Sequence, residues 1–194
     1  WGADVLDVNV GHPQIDEAAI MPKVVEAILA VTDVPLCIDS NEPKILEAGL
    51  KVAPGKPLVN SVNGEDKQLA TVLPIVKDRG AAVIGMAIGN EGIPPTAEGR
   101  LAAAGKIIEY AAKMGIPAED IIIDPLVMTV GHNSVAGLVT LKSIELIKKE
   151  YGVNMSLGAS NVSFGLPDRH SVNSAFLALA IQAGVTCSIT DAIK

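Results

Sequence analysis

Apolar runs of strand length recur along the chain at positions 5–10, 35–38, 57–62, 81–88, 121–126, 155–159 and 186–189. Between them, residues 17–31, 43–52, 67–79, 97–114, 134–151 and 172–183 carry apolar positions at the three- and four-residue spacing of a helix buried along one side. Strand and helix therefore alternate without interruption. The punctuation agrees: Asp16 is placed to cap the first helix, Pro43 suits a first turn, and Gly80, Gly115, Gly152 and Gly184 each follow a helix as C-terminal glycines. Pro74, inside the third helix, removes a hydrogen bond there and should bend it.

A βα unit every ~30 residues fits either a closed barrel or an open doubly wound sheet, so periodicity alone does not choose between them. The glycine-rich fingerprint of the open sheet is absent. Instead, nearly every strand ends in a small polar residue: Asp7 and Asn9, Asp39 and Ser40, Asn60 and Ser61, Asn90, Asp124, Ser160 and Asn161, Asp191. A ring of such residues is what the C-terminal mouth of a barrel presents, and barrel enzymes build their sites there. The expected fold is α/β, a (β/α)8 TIM barrel forming one domain over residues 1–194. Seven strands are visible, so the reading expects a fragment that lacks the first strand, before Trp1, and the last helix, after Lys194.

Composition narrows the picture. Hydrophobic residues make up 49% of the 194 residues but aromatics only 3%, the usage of parallel strands covered by helices. A net charge of −7 offers no basic face for nucleic acid or an anionic membrane surface. No apolar run approaches the ~20 residues of a membrane span. Cys37 and Cys187 lie in apolar runs without a neighbouring Cys or His at ligand spacing, which predicts buried reduced thiols and a cytoplasmic location.

The strand ends are rich in Asp and Asn and contain no Lys or Arg, so a phosphorylated ligand held by charge is disfavoured. A neutral ligand with several donors fits better. A pterin ring offers an N–H beside an exocyclic amine, which one carboxylate accepts in a bidentate way, and further ring atoms that an amide matches. Asp39, Asn60 and Asp124 are of the right types. The same oxygens are hard ligands for a divalent cation, the less favoured alternative. Ser40, Asn90 and Ser134 read as helix caps or turn residues. His12, His132 and His170 read as solvated loop histidines, since none has a His or Cys at ligand spacing. Ser163 lies near His170, but no nucleophile-elbow motif surrounds it.

The runs LDVNVG (6–11), CIDSNEPKILEAGL (37–50), LVNSVN (58–63), IIDPLV (122–127) and GASNVSFGLPDR (158–169) resemble the pterin-binding methyltransferases. Within that family the sequence looks most like the methyltetrahydrofolate:corrinoid protein methyltransferases and the pterin domain of cobalamin-dependent methionine synthase. The resemblance spans the whole chain in order. It implies a barrel with the pterin in its mouth, held by Asp39, Asn60 and Asp124, with Asp7 lining the same pocket. Gly158 would allow close approach of the ring, Ser160 would support the neighbouring loop, and Asn161 would stand beside N5, the atom that bears the methyl group.

By the same resemblance, methyltetrahydrofolate/tetrahydrofolate is the substrate, and the N5-methyl group moves between it and cobalamin carried by a corrinoid-binding protein or domain, in a direction the sequence leaves open. No metal is implied, and a homodimer is compatible with the sequence without being required by it. An N-methyl amine is inert until N5 is protonated or hydrogen-bonded, and cob(I)alamin then attacks the methyl carbon in line. An Asn cannot donate a full proton at neutral pH, so Asn161 would hydrogen-bond an N5 that gains its proton as the transition state forms. Water or a carboxylate such as Asp7 would supply that proton. Phe164 occupies a position where some members carry a polar residue, so no pterin contact is carried over to it. A module within a larger protein such as methionine synthase is the alternative. Dihydropteroate synthase ranks lower, because it uses a basic patch near the last strands where this chain has only Arg169.

Overall fold

The computed structural model describes residues 2–190. Its elements run β1 (Leu6–Asn9), α1 (Glu17–Leu29), β2 (Leu36–Asp39), α2 (Pro43–Val52), β3 (Leu58–Asn63), α3 (Asp66–Arg79), β4 (Ala82–Met86) and α4 (Ala97–Lys113). A 3-10 turn (Ala118–Asp120) leads into β5 (Ile121–Asp124), then α5 (Ala136–Tyr151), β6 (Asn154–Met155), a second 3-10 segment (Ala159–Ser163) and α6 (Arg169–Ala183).

Local chemistry sets the helix boundaries. The Asp16 carboxylate accepts from Ala19 N at 3.2 Å, a donor shared with the Asp16 carbonyl, and the Thr96 hydroxyl accepts from Gly99 N at 3.1 Å, each capping the first turn of its helix. Pro43 opens α2. Gly80 and Gly152 close α3 and α5 with φ of 65°, a left-handed turn that a side chain would resist.

The strands pair in the order β1-β2-β3-β4-β5-β6, each parallel to the next in sequence. This order settles what periodicity left open. A doubly wound sheet reverses direction at a switch point, whereas here every crossover advances one strand the same way, and crossovers of the usual right hand then lay their helices on one face. Consecutive helices pack against one another from α1 to α6 as a continuous outer layer. The core lies between the two layers, where Val8, Ile38, Val59, Val83, Ile123 and Met155 meet helix residues such as Met21, Leu46, Leu73, Ile107 and Ile147. Burying each of these larger side chains contributes about 1.5–3 kcal/mol. The close approach of α2 to β2 depends on Gly49, where an added Cβ would stand 2.9 Å from both Ile38 and Met21.

Because side chains alternate along a strand, the opposite, inner face carries Asp7, Asn9, Cys37, Asp39, Asn60, Ile84, Met86 and Asp124. That face, with its C-terminal rim of Asp and Asn, is the interior of a barrel-type α/β fold.

The structure corrects several expectations. The strand expected at 155–159 ends at Met155, and Ala159 already belongs to a 3-10 segment, because Gly158 and the polar residues after it turn the chain. The strand expected at 186–189 is reduced to a bridge between Gly158 and Ile189 with backbone bonds to Met155 and Leu157, since β6 offers it only a short partner. Cys187 is consequently exposed, not buried, while Cys37 is buried as expected. His170 lies in the first turn of α6, not in a loop. Helix α5 begins at Ala136, with Asn133 rather than Ser134 accepting from Val135 N at 3.1 Å. Asp191 lies outside the described residues. Among those residues no helix is long and apolar enough to cross a membrane.

Candidate functional site

The C-terminal ends of the first three strands bring four polar side chains into two crossed pairs. Asn9 Nδ2 donates to Asp39 Oδ2 at 2.9 Å, and Asn60 Nδ2 donates to Asp7 Oδ2 at 3.2 Å. Strand register places them there: Asn9 is level with Asp39, and Asp39 with Asn60. The register of β3 against β4 shifts between Asn60 and Val62, and the Asn60–Ser61 peptide is cis. Asn9 also accepts from Gly11 N at 2.7 Å, which turns the loop after β1 over the pair.

A cleft of about 400 Å³ opens over this corner, floored by Asn9, Asp39, Asn60, Ser61 and Met86 and walled by Glu17 and Asn41. That volume falls within the range of small-molecule sites, ~300–1,000 Å³. Asp39 has its carboxyl pushed up by burial and by the neighbouring charge and hydrogen bond of Asp7, against the lowering effect of Asn9. The Cys37 thiol, one pleat deeper, is pushed up by burial and by Asp7, so it stays protonated and takes no nucleophilic part.

Asp124 lies beyond Met86, with which it is level in register, and outside the cleft lining. Its Oδ1 accepts from Leu126 N at 2.7 Å. Burial raises its pKa to about 6, against the opposing pull of the Leu126 amide and the Arg100 guanidinium. Gly158, Ser160 and Asn161 follow β6 at the same end of the sheet. Asn161 is exposed, and its Nδ2 would meet a Cβ on Gly158 at 3.1 Å, so the glycine leaves the amide room. The Ser160 carbonyl accepts from Arg169 Nη2 at 2.9 Å and from Ser163 Oγ at 3.3 Å. Val130 N donates to Val162 O at 3.0 Å and Thr129 Oγ1 to Phe164 O at 2.8 Å, which binds the loop after β5 to the loop after β6.

Of the residues singled out from sequence, the structure brings Asp7, Asp39 and Asn60 into direct contact, sets Asp124 two strands from Asn60, and places Gly158, Ser160 and Asn161 on a separate loop of the same rim. Ser40 and Asn90 act locally: Ser40 Oγ accepts from Glu42 N at 3.1 Å, and Asn90 exchanges two hydrogen bonds with Asp66. Asn9, named only as a strand-end residue, is the direct partner of Asp39. Its alternation with Asp7 on one face was the available signal. Arg100, in α4 and 3% exposed, was missed altogether. Among the described residues no group of three or more His, Cys, Asp or Glu could hold a metal ion.

Residues 1–191 match the family described as pterin binding enzyme. The chain is 32% identical over 193 residues to the methylcorrinoid:tetrahydrofolate methyltransferase of Eubacterium limosum, spanning 98% of this chain and 71% of that protein. It is 32% identical over 206 residues to methionine synthase of Mycobacterium tuberculosis, spanning all of this chain but 17% of that protein. Among solved structures, dihydropteroate synthase from Thermus thermophilus superposes with a TM-score of 0.75 at 24% identity, over 96% of this chain and 76% of that one. The enzyme from Xanthomonas albilineans in complex with 7,8-dihydropteroate superposes with a TM-score of 0.72 at 22% identity, over 96% and 72%. At those identities the superpositions speak to the fold alone.

Proposed function

We propose that this chain, which belongs to the pterin binding enzyme family, is a methyltransferase that moves the N5-methyl group between methyltetrahydrofolate and a corrinoid carried on a partner protein or domain. One observation carries the reading: a rim of carboxylates and amides suited to a neutral heterocycle is paired with an exposed amide, Asn161, on a neighbouring loop with space kept open beside it by Gly158. The similarity to the Eubacterium limosum methyltransferase over nearly the whole chain supports it.

Asp39, Asn60 and Asp124 hold the pterin ring, with Asp7 keeping Asn60 in place through the 3.2 Å bond and Asn9 doing the same for Asp39. The ionised Asp124 accepts ring N–H groups, and Asn161 hydrogen-bonds N5 as charge develops there. The corrinoid supplies the methyl acceptor. A pyrophosphate-releasing synthase is disfavoured because Arg169 is committed to Ser160 and Ser163 and lies over the Phe164 ring. A pterin station within a longer protein is the second reading, supported by the 32% identity to methionine synthase over the whole of this chain. It uses this site in the same way.

The test is calorimetric binding of methyltetrahydrofolate together with single-turnover methyl transfer to cob(I)alamin. Asn161→Ala should slow transfer by about tenfold or more while lowering affinity much less, because its bond strengthens in the transition state. Equal losses in rate and affinity would reduce Asn161 to a ground-state contact. A folded chain with no measurable affinity for methyltetrahydrofolate would end the reading.

A further inference from the structure

The loop that presents Asp124 is organised around a buried cation. Arg100, one turn into α4, donates from Nε to Pro94 O at 3.2 Å. Its Nη1 reaches Pro125 O at 3.0 Å, Leu126 O at 2.7 Å and Thr140 Oγ1 at 3.2 Å. The Thr140 hydroxyl in turn donates to Leu126 O at 2.9 Å. These bonds tie the loop after β4 and helix α5 to the two residues that follow Asp124. Leu126 has φ of 67°, a left-handed conformation that a leucine keeps only where its surroundings enforce it. In that conformation the Leu126 amide points back to Asp124 Oδ1 at 2.7 Å.

We infer that Arg100 is a positioning residue for Asp124, holding the Pro125–Leu126 backbone so that the Leu126 amide fixes one carboxylate oxygen, and supplying the buried positive charge that favours the ionised acid. The inference rests on reading Asp124 as a pterin ligand. Arg100 acts from behind the rim, through backbone and charge, and is not itself a catalytic residue. A planar fork is what the position demands: one group must serve carbonyls from two loops while remaining charged, which an ammonium does poorly. Burying a guanidinium without a bonded carboxylate is costly, and the nearby Asp124 charge partly offsets it.

The test titrates the Asp124 carboxyl by 13C NMR in the ligand-free protein and measures methyltetrahydrofolate affinity at pH 8, in the unmodified chain, Arg100→Met and Arg100→Lys. The unmodified midpoint should fall at about 6. Arg100→Met should move it upward by about one pH unit, since the opposing charge is gone. Arg100→Lys should leave it in place but weaken affinity by about tenfold, because the fork is lost. An unmoved midpoint in folded Arg100→Met, or unchanged affinity in folded Arg100→Lys, overturns the inference. Should neither variant fold, the near-isosteric Thr140→Val is decisive: affinity lowered several-fold supports the clamp, and unchanged affinity refutes it. If the unmodified chain does not bind methyltetrahydrofolate, the functional reading fails, while the Asp124 titration still judges Arg100.

Discussion

At the scale of single residues, the site holds groups that the fold would be more stable without. The Asp124 carboxyl ionises at about 6 instead of its ordinary 3.8, so the folded chain binds its proton more tightly than the unfolded chain does. A raised acid works against folding as pH climbs: its contribution is neutral below the unfolded value and turns unfavourable between about 4 and 6. Asp124→Asn keeps an oxygen for the Leu126 amide and removes the desolvated charge. It should raise unfolding free energy at pH 7.5 by about 1–3 kcal/mol, an increment that disappears below pH 4. Methyltetrahydrofolate affinity should fall in the same variant, and in the unmodified chain it should be lost as pH drops through about 6. Urea titrations at the two pH values showing no difference would mean that Asp124 is not desolvated. Asp124 was legible in the sequence because it ends an apolar strand. Arg100 was not, since AEGRLAAAGK reads as ordinary amphipathic helix and, apart from Pro94, its acceptors lie 25 or more residues away.

At the scale of elements, helices were legible to within a few residues because their signals are local: spacing, caps and terminal glycines. Short strands whose only support is a distant partner were not. Residues 155–159 and 186–189 are as apolar as the observed strands, but no local feature records that β6 holds two residues. Nor did any local signal mark the crowding where β3 ends. Gly64 N donates to Ile88 O at 2.8 Å, and a Cβ there would stand 2.5 Å from that backbone oxygen. Gly64→Ala should therefore destabilise the chain by about 1–3 kcal/mol. At Gly105 an added Cβ meets the hydroxyl end of Tyr151, a side chain that can swing aside, so Gly105→Ala should cost less. Thermal unfolding of the two variants gives the order, and a larger loss at Gly105 would show the Tyr151 side chain to be the more rigid obstacle.

At the scale of the whole molecule, strand order decides both architecture and the distribution of stability. Alternating strands and helices fit two architectures; the polar residue ending nearly every strand pointed to the barrel, and pairing each strand with its immediate successor, through contacts between residues far apart in the chain, selects the singly wound one. The same order makes β3 and β4 interior strands, bonded on both sides and buried under α3 and α4, whereas β6 joins residues 185–190 through a few backbone bonds to Met155 and Leu157. Local opening free energies follow buried contacts and paired backbone, so protection should be graded across the sheet. Hydrogen exchange followed by mass spectrometry should show amides of Val59, Val83 and Ile84 exchanging near the rate set by global unfolding. Thr186, Cys187 and Ile189 should exchange at least about tenfold faster, a difference of about 1.4 kcal/mol or more in opening free energy. Of the proposed pterin-binding residues, Asn60 stands on protected β3 and Asp39 on the neighbouring β2, while Asn161 stands next to the labile margin. Adding methyltetrahydrofolate should then slow exchange chiefly in residues 158–166, because a ligand spanning both regions stabilises most the one that opens most easily. Uniform protection from β1 to residue 190, unchanged by ligand, would mean that the sheet opens as one unit and that the segment carrying Asn161 is held as rigidly as the strands.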